Sequence, residues 1–215
     1  MNKKELVIKI FNVLDSEYPN AKCSLLTENN LQLLISTELS AQCRDERVNE
    51  VTKVLYQKYK TAEDFAKADI VELQDCIKSL GLYKNKSKNI IEGCKKIVKE
   101  FNGQVPCTME DLLKLDGVGR KTANLVLGEA FSLPAVVVDT HVTRLSRRMG
   151  LTSNIDPYKI EIDLKKIIPC EIQMKFCHQL VLHGRKYCDA RKPKCDLCPL
   201  DGICLKKYIN KEKKK

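Results

Sequence analysis

The chain has 215 residues, 43% of them hydrophobic, so it can bury one large core or two modest ones. It has 38 Lys and Arg against 28 Asp and Glu, and the net charge of +10 suits a polyanionic partner without identifying one. The sequence contains neither a signal peptide nor an apolar stretch of the roughly 18 residues that a bilayer span requires. These properties argue against membrane-spanning and secreted classes, and we expect a soluble, cytoplasmic monomer.

The first hundred residues lack the breakers that a sheet-rich fold needs, because no glycine precedes Gly81 and Pro19 is the only proline before Pro106. The spacing of apolar residues favours helices, and the sequence therefore predicts an all-α fold. The first expected helix ends near Pro19, and the second begins at Asn29 or Asn30. A third passes through Val51, Val54 and Leu55, two shorter helices cover residues 61–66 and 69–79, and a further helix ends near Phe101.

A lysine-rich helix follows the first glycine, and its residues Lys84, Lys86 and Lys88 are expected on a solvent-exposed face. Leu82 lies just before this helix, and from the residues alone it would be ordinary loop packing. Gln42, which follows the second helix, would by the same reasoning be an ordinary polar residue.

A segment of glycines and apolar residues predicts a hairpin between two short helices. Gly117 and Gly119 can take positive φ at little steric cost, so the chain can end one helix and begin another within three residues. The N–H groups and positive dipole end of the new helix, next to Gly117-Val118-Gly119, would bind a phosphate oxygen. The hairpin would therefore grip a nucleic-acid backbone without contacting base edges. The apolar residues with the spacing to bury each other are Leu112, Leu113, Leu115, Ala123, Val126 and Leu127.

Two charged residues in and after this hairpin could carry chemistry. Lys121 lies in the first turn of the new helix, where the helix dipole, aided by burial, would disfavour its ammonium form and leave an amine able to attack carbon. A lysine that only contacts phosphate is the simpler alternative. Asp139 could be the N-cap of a helix that starts at Thr140. A capping carboxylate is also rigid, and it could stabilise a cationic sugar transition state and assist proton transfers.

Four cysteines near the end of the chain have the pattern C-x6-C-x2-C-x5-C: Cys188, Cys195, Cys198 and Cys204. Thiolates this close repel one another unless a metal centre neutralises them. Zinc modules more often have two C-x2-C pairs, whereas an iron–sulfur cluster tolerates wider and uneven spacing. The spacing alone leaves both kinds of metal site open.

Arg191, Lys192 and Lys194 lie between the first two of these cysteines, and we expect a rigid basic loop that contacts phosphate. Residues 206–215 are expected to form a mobile basic tail. The three histidines, His141, His178 and His183, are isolated and expected to be structural. The other cysteines should pack as small apolar residues: Cys23, Cys43, Cys76, Cys94, Cys107, Cys170 and Cys177.

The segments Leu115-Asp116-Gly117-Val118-Gly119-Arg120-Lys121-Thr122-Ala123 and Val138-Asp139-Thr140-His141-Val142 resemble the signature of the endonuclease III family of DNA base-excision glycosylases. The four-cysteine loop and the preceding Leu182-His183-Gly184-Arg185 are similar to the [4Fe-4S] loop of that family. The resemblance spans nearly the whole chain.

The resemblance implies that Lys121 is a Schiff-base nucleophile, that Asp139 is its essential carboxylate partner, and that the four cysteines bind a [4Fe-4S] cluster. It also implies that Leu82 wedges into the duplex and that Gln42 fills the gap left by an extruded nucleotide. One departure is Asp116, where the family usually has Pro. A carboxylate here adds negative charge near the expected phosphate and puts backbone affinity in doubt.

The implied fold has two lobes, a six-helix lobe at residues 21–134 and a cluster lobe formed by residues 1–20 and 135–215, with DNA crossing the cleft between them. The implied activity removes oxidised pyrimidines from double-stranded DNA and cleaves the abasic strand by β-elimination. Three alternatives remain: a monofunctional mismatch glycosylase, a non-catalytic DNA-binding module, and an iron–sulfur redox sensor. The presence of Lys121 argues against the first, because such relatives generally lack lysine at this position.

Overall fold

The computed structural model describes residues 2–209, and every regular element among them is helical, which confirms the all-α prediction. Among these residues no helix combines the length and the apolar composition of a membrane span. Residues 210–215, most of the expected basic tail, lie outside the described part. The helices are α1 (Lys3–Glu17), α2 (Asn30–Leu39), α3 (Asp45–Lys58), α4 (Ala62–Ala66), α5 (Ile70–Ile77), α6 (Tyr83–Phe101), α7 (Met109–Leu112), α8 (Arg120–Phe131), α9 (Thr140–Arg148), α10 (Pro157–Ile167) and α11 (Gln173–Lys186).

Several helices begin where a short polar side chain can accept a hydrogen bond from the first turn. Asn29 accepts from the Gln32 N–H at the start of α2, and Thr61 accepts from the Asp64 N–H at the start of α4. Asp156 caps α10 in the same way. Each cap satisfies an N–H that has no partner within its helix. These residues therefore fix where the helices start.

The chain divides into two compact units. Unit 2 is the continuous segment Cys23–Leu133, which contains α2 to α8. Unit 1 joins Met1–Lys22 to Pro134–Lys215 and contains α1, α9, α10 and α11. Lys121 and the hairpin belong to unit 2, whereas Asp139 and the four-cysteine loop belong to unit 1.

Unit 2 is organised around α2, in which residues 32–39 are all buried, and α3, α6 and α8 pack against it. Several polar side chains buried on α2 form hydrogen bonds, since burying an unpaired polar group is costly. The Thr37 hydroxyl donates to the Leu33 carbonyl (2.7 Å), and the hydroxyls of Ser36 and Tyr56 lie 2.6 Å apart. The helix thus supplies a rigid base for the hairpin formed by α7 and α8.

In unit 1, α1 packs against α10 and α11 although it is far from them in the sequence, and α9 packs along α11. The rings of Phe11 and Phe176 have centroids 6.4 Å apart. At the edge of this contact, Asp15 accepts a hydrogen bond from Gln179 (2.9 Å) and pairs with Lys175 (2.5 Å). The buried apolar face of α1 consists of Leu6, Val7, Ile10 and Leu14.

Candidate active site

The turn between α7 and α8 contains both glycines of the predicted hairpin. Gly117 has a φ of +82°, as expected, and a Cβ added to it would lie 2.7 Å from Glu38 Oε2 and 2.9 Å from Asn89 Cβ. This position therefore needs glycine for its conformation and for the space. Gly119 has a φ of −96° and is the N-cap of α8, so the prediction of a positive φ is wrong for Gly119.

The expected burial within the hairpin is confirmed except at Leu113, which is 40% exposed. Val118 is buried, and its N–H closes the turn on the Leu115 carbonyl (3.3 Å). Gly117 and Gly119 are exposed, so the backbone on either side of Val118 is open to a ligand. The residues buried as predicted are Leu112, Leu115, Ala123, Val126 and Leu127.

Lys121 is the second residue of α8, in the first turn as predicted. Its side chain is exposed, so the burial that we expected from the sequence is absent. The N-cap residue Gly119 provides no side-chain cap, and the N–H groups of the first turn remain oriented toward the hairpin turn. Lys121 therefore stands beside a backbone suited to bind an anion.

Asp116, where the resembled family usually has Pro, forms an ion pair with Lys96 of α6 (2.8 Å). The same ammonium donates to the Lys114 carbonyl (2.9 Å), and the hydrogen bond with Asp116 raises the pKa of Lys96. A positive side chain thus accompanies the carboxylate at the turn. The pairing offsets the local negative charge, although an exposed pair contributes little to stability.

Asp139 is the N-cap of α9, and its Oδ1 accepts a hydrogen bond from the Val142 N–H (2.7 Å). The side chain is half-buried. The capping interpretation from the sequence is therefore correct. Because capping uses one carboxylate oxygen, the second oxygen remains available to stabilise a positive charge or to accept a proton.

Two arginines on α9 hold the backbone that leads into the cysteine loop, a role that the sequence did not predict. Arg148 is 1% exposed and donates to the carbonyls of Asp189 (2.7 Å) and Ala190 (2.8 Å). Arg144 donates to the carbonyl of Cys188 (3.1 Å). The basic run at the end of α9 was a visible signal, but its partners are backbone atoms about 40 residues away.

The four cysteines of the predicted metal site line one cavity, together with Met149, His183 and Leu200. Cys198 Sγ lies 3.3 Å from His183 Nε2, and Arg148 donates to Cys188 Sγ (3.4 Å). Burial raises the pKa of Cys198 to about 11, since apolar surroundings disfavour a thiolate. These residues fit a metal centre with thiolate ligands, which would stabilise the charged sulfurs.

The other cysteines follow the expectation of buried apolar packing only in part. Cys94 and Cys177 are buried, and burial raises the pKa of Cys177 to about 12. Cys107 and Cys170 are exposed, so the prediction is wrong for these two residues. Cys107 lies between α6 and α7, and Cys170 begins a short 3-10 helix before α11.

The basic loop inside the cysteine pattern is exposed at Arg191, Lys192 and Lys194. Asp189 Oδ1 accepts from the N–H groups of Arg191 (2.8 Å) and Lys192 (3.1 Å), and these hydrogen bonds lower the pKa of Asp189. The carboxylate thereby shapes a tight turn with the cationic side chains outside. The start of the tail that follows the loop is held by several contacts, which differs from the expected mobile tail. The Lys207 N–H donates to the Arg148 carbonyl (2.8 Å), Lys206 pairs with Asp201 (2.5 Å), and the Arg147 guanidinium lies over the Tyr208 ring.

Gln42 and Leu82 are both exposed and both have left-handed backbone conformations, with φ of +55° and +50°. Leu82 is 51% exposed, which is unusual for a leucine that merely packs in a loop. A left-handed conformation costs a residue with a side chain about 1–2 kcal/mol, and such strain is often found at functional sites. Neither feature is visible in the sequence.

The lysines of α6 differ from the prediction at one position. Lys84 and Lys88 are exposed as expected, but Lys86 is only 5% exposed, so its placement on a solvent-exposed face is wrong. Its Nζ donates to the carbonyls of Leu39 (2.9 Å) and Leu80 (3.0 Å). These carbonyls lie just before the segments that contain Gln42 and Leu82, and they compensate in part for burying the ammonium.

The chain matches the family model described as HhH-GPD superfamily base excision DNA repair protein over residues 35–170. It is 50% identical over 204 residues to endonuclease III of Synechocystis sp., with 94% of this chain and 93% of that protein covered. Two solved structures match with a TM-score of 0.90, 40% identity and 100% coverage of both chains. One is a non-covalent endonuclease III–DNA complex, and the other is a trapped endonuclease III–DNA covalent intermediate in an estranged-adenine complex. On these grounds the chain belongs to the HhH-GPD superfamily and, within it, to the endonuclease III family.

Proposed function

We propose that the chain is a bifunctional DNA glycosylase and abasic-site lyase of base excision repair, which removes oxidised pyrimidines and then cleaves the strand. The observation that carries this proposal is Lys121, an exposed amine in the first turn of a hairpin helix. A full-length structural match has been trapped as a covalent intermediate with DNA, which supports a nucleophilic mechanism. A protein that only held the DNA backbone would need the hairpin but no such nucleophile.

Binding to DNA is assigned to two surfaces. The exposed backbone at Gly117 and Gly119, together with the N-terminus of α8, would bind phosphate oxygens. The exposed side chains of Arg191 and Lys192 would add contacts to the DNA backbone. Such contacts position the duplex and carry no sequence information, which suits an enzyme that must act at damage in any sequence.

Extrusion of the damaged nucleotide is assigned to Leu82 and Gln42. An exposed leucine side chain can unstack neighbouring bases, and an amide can form hydrogen bonds with the base left without a partner. Extrusion costs about a few kcal/mol and less for a base that already stacks poorly, which contributes to selectivity for lesions.

The covalent step begins with the neutral amine of Lys121. As its nitrogen bonds to C1′, the bond between C1′ and the damaged base breaks and the base leaves with the electron pair. Asp139 is proposed to stabilise the positive charge on the sugar and to accept the proton that the amine loses. Ring opening then gives an imine between Lys121 and C1′. Loss of a C2′ proton expels the 3′ phosphate by β-elimination, which cuts the strand.

We assign Cys188, Cys195, Cys198 and Cys204 as the ligands of a [4Fe-4S] cluster. The shared cavity of these thiols supports the assignment. The uneven spacing of these cysteines in the sequence favours a cluster over one zinc ion. When bound, the cluster would neutralise the thiolates and fix the basic loop. With all four cysteines used as ligands, its role would be structural.

The proposal is tested by borohydride reduction during incubation with duplex DNA that contains an oxidised pyrimidine. We expect a covalent protein–DNA adduct that Lys121→Gln abolishes while DNA affinity changes little. Lys114→Gln, which removes an exposed lysine just before the hairpin, is the matched control and should keep the adduct. Base release without an adduct would instead indicate a monofunctional glycosylase, and binding with neither would indicate a non-catalytic module.

A further inference from the structure

A single buried ammonium joins the two segments that carry Gln42 and Leu82. Lys86 Nζ donates to the Leu39 carbonyl (2.9 Å) and to the Leu80 carbonyl (3.0 Å). Leu39 is the last residue of α2, and Leu80 ends a 3-10 turn before α6. Carbonyls at such helix ends have no partner within the helix, and a cation is a favourable one. Lys86 therefore satisfies the carbonyls at two helix ends, which come from distant parts of unit 2.

Each of these carbonyls lies close in sequence to an exposed residue in the left-handed region. Gln42 follows Leu39 after two residues and has a φ of +55°, and Leu82 follows Leu80 after Gly81 and has a φ of +50°. A strained residue keeps its conformation only when the surrounding structure holds its ends. The charge-assisted hydrogen bonds of Lys86 are suited to provide that hold on both segments at once.

Direct contact between Lys86 and a DNA phosphate is ruled out as its role, because the side chain is 5% exposed and its Nζ donates to two backbone carbonyls of unit 2. The neighbouring Lys84 and Lys88 on the same helix are exposed and are available for such contacts. Burial also lowers the pKa of Lys86, as expected for an ammonium removed from water. Burying a charge is costly, and hydrogen bonding to the two carbonyls is therefore the role of Lys86.

We propose that Lys86 is a positioning residue that couples the Gln42 segment to the Leu82 segment, so that the two side chains enter the duplex as one unit. The inference rests on the proposed function, since it assumes that both side chains act on DNA. It adds that their contributions to nucleotide extrusion depend on each other through an ammonium that itself never touches the substrate.

The consequence is a coupling that a double-mutant cycle measures. Single-turnover base release is compared for Gln42→Ala, Leu82→Ala and the double variant, each with Lys86 and with Lys86→Met. With Lys86 present, we expect either single variant to lose most of what the double variant loses, a coupling of about fivefold or more. With Lys86→Met, the two losses should become independent and multiply.

Two further measurements separate positioning from general stability. The fluorescence of 2-aminopurine placed opposite the lesion should rise on binding of wild type and rise less with Lys86→Met, at a temperature where both proteins are folded. The salt dependence of DNA affinity should be unchanged in Lys86→Met, whereas a lysine that contacts phosphate lowers the slope by about one. Lys99→Met, an exposed lysine near the other end of the same helix, is the matched control and should leave the fluorescence change and the coupling intact.

The outcomes are distinct. If Gln42→Ala and Leu82→Ala each slow base release but multiply in the presence of Lys86, the coupling is overturned while the proposed function stands. That result decides the question even if Lys86→Met fails to fold. If neither single variant changes base release, the DNA role of both side chains fails and the inference fails with it. If a strong coupling persists unchanged in Lys86→Met, another contact must cause the coupling, and the proposal is overturned.

Discussion

The hairpin of unit 2 and the cysteine loop of unit 1 both present exposed backbone and positive charge, but they are held in different ways. The hairpin is fixed by apolar side chains close in sequence, such as Leu115 and Val126, which are both buried. The loop has little regular structure, and its backbone is held by hydrogen bonds from guanidinium groups of α9. Arg148 and its acceptor Asp189, for example, are 41 residues apart in the sequence. Apolar burial needs no partner of defined direction, whereas these hydrogen bonds do.

The comparison indicates that the hairpin depends on apolar packing within unit 2, whereas the loop depends on hydrogen bonds from α9 and, by the proposed assignment, on a metal centre bound by its thiols. The two surfaces should therefore respond differently when charge, metal or backbone geometry is changed. The following variants are ordered from the largest expected effect to the smallest.

Asp139 has a proposed catalytic role and also a structural role, because it is the N-cap of α9, the helix whose arginines hold the cysteine loop. Asp139→Asn should slow base release by about 10²-fold or more, the range lost with a general acid or base. Asparagine caps helices as well as aspartate, so this variant should keep the melting temperature of wild type. Single-turnover base release and thermal unfolding are the measurements.

Asp139→Ala is the companion variant, since it removes both the charge and the cap and should also lose about 0.5–2 kcal/mol of stability. If Asp139→Asn keeps wild-type base release per folded molecule, the carboxylate acts only as a cap and the proposed role fails.

Removal of the metal should affect one surface only. After oxidative loss of iron with a chelator, or in Cys198→Ser, we expect faster amide hydrogen exchange in residues 188–204 and unchanged exchange in α8. The salt slope of DNA affinity should fall by about two if Arg191 and Lys192 lose their phosphate contacts. Cys170→Ser, an exposed cysteine outside the loop, is the control and should change neither quantity. Equal loss of protection in α8 would contradict the independence of the hairpin.

Backbone geometry should matter at one glycine of the hairpin far more than at the other. Gly117→Ala places a Cβ at positive φ and against Glu38 and Asn89, and should cost about 1–3 kcal/mol of stability. Gly119→Ala is the matched control, because its φ is negative and nothing lies within 4 Å of the added Cβ. Thermal unfolding checks the pair, with roughly 2–4 °C expected per kcal/mol. Equal shifts would mean that the turn relaxes freely.

The underside of the hairpin holds a buried carboxyl, Glu38, whose Oε2 has no hydrogen-bond partner among residues 2–209. Burial, followed by the nearby charge of Asp116, raises the pKa of Glu38 to about 8. The folded state therefore keeps a proton that the unfolded chain loses above the ordinary glutamate pKa of 4.5, so stability falls as pH rises from about 4.5 to 8.

Glu38→Gln should remove this pH dependence, with the variant gaining at least about 1 kcal/mol over wild type at pH 8 and little at pH 4.5. Thermal unfolding across this range measures the difference, and Glu110→Gln, an exposed glutamate on α7, is the control. A gain that is the same at both pH values would show that Glu38 ionises normally in the folded protein.

The features predicted from the sequence are those that depend on neighbours in the chain. The hairpin followed from two glycines and the spacing of Leu112, Leu115 and Ala123, and the helix starts followed from capping residues. Lys86 and Arg148 were missed because a charged residue is buried only when distant carbonyls are brought to it, and no local pattern reveals this.

The discontinuity of unit 1 has a consequence for synthesis of the protein. During translation, α1 leaves the ribosome before α10 and α11 exist, and at bacterial or slower elongation rates the wait is on the order of ten seconds. For that interval the apolar side chains of α1 lack their partners, which makes this helix a target for chaperones. Asp139 and the four cysteines emerge after the hairpin is complete. By the proposed mechanism, a nascent chain thus gains the means to hold DNA before it gains the means to cut it.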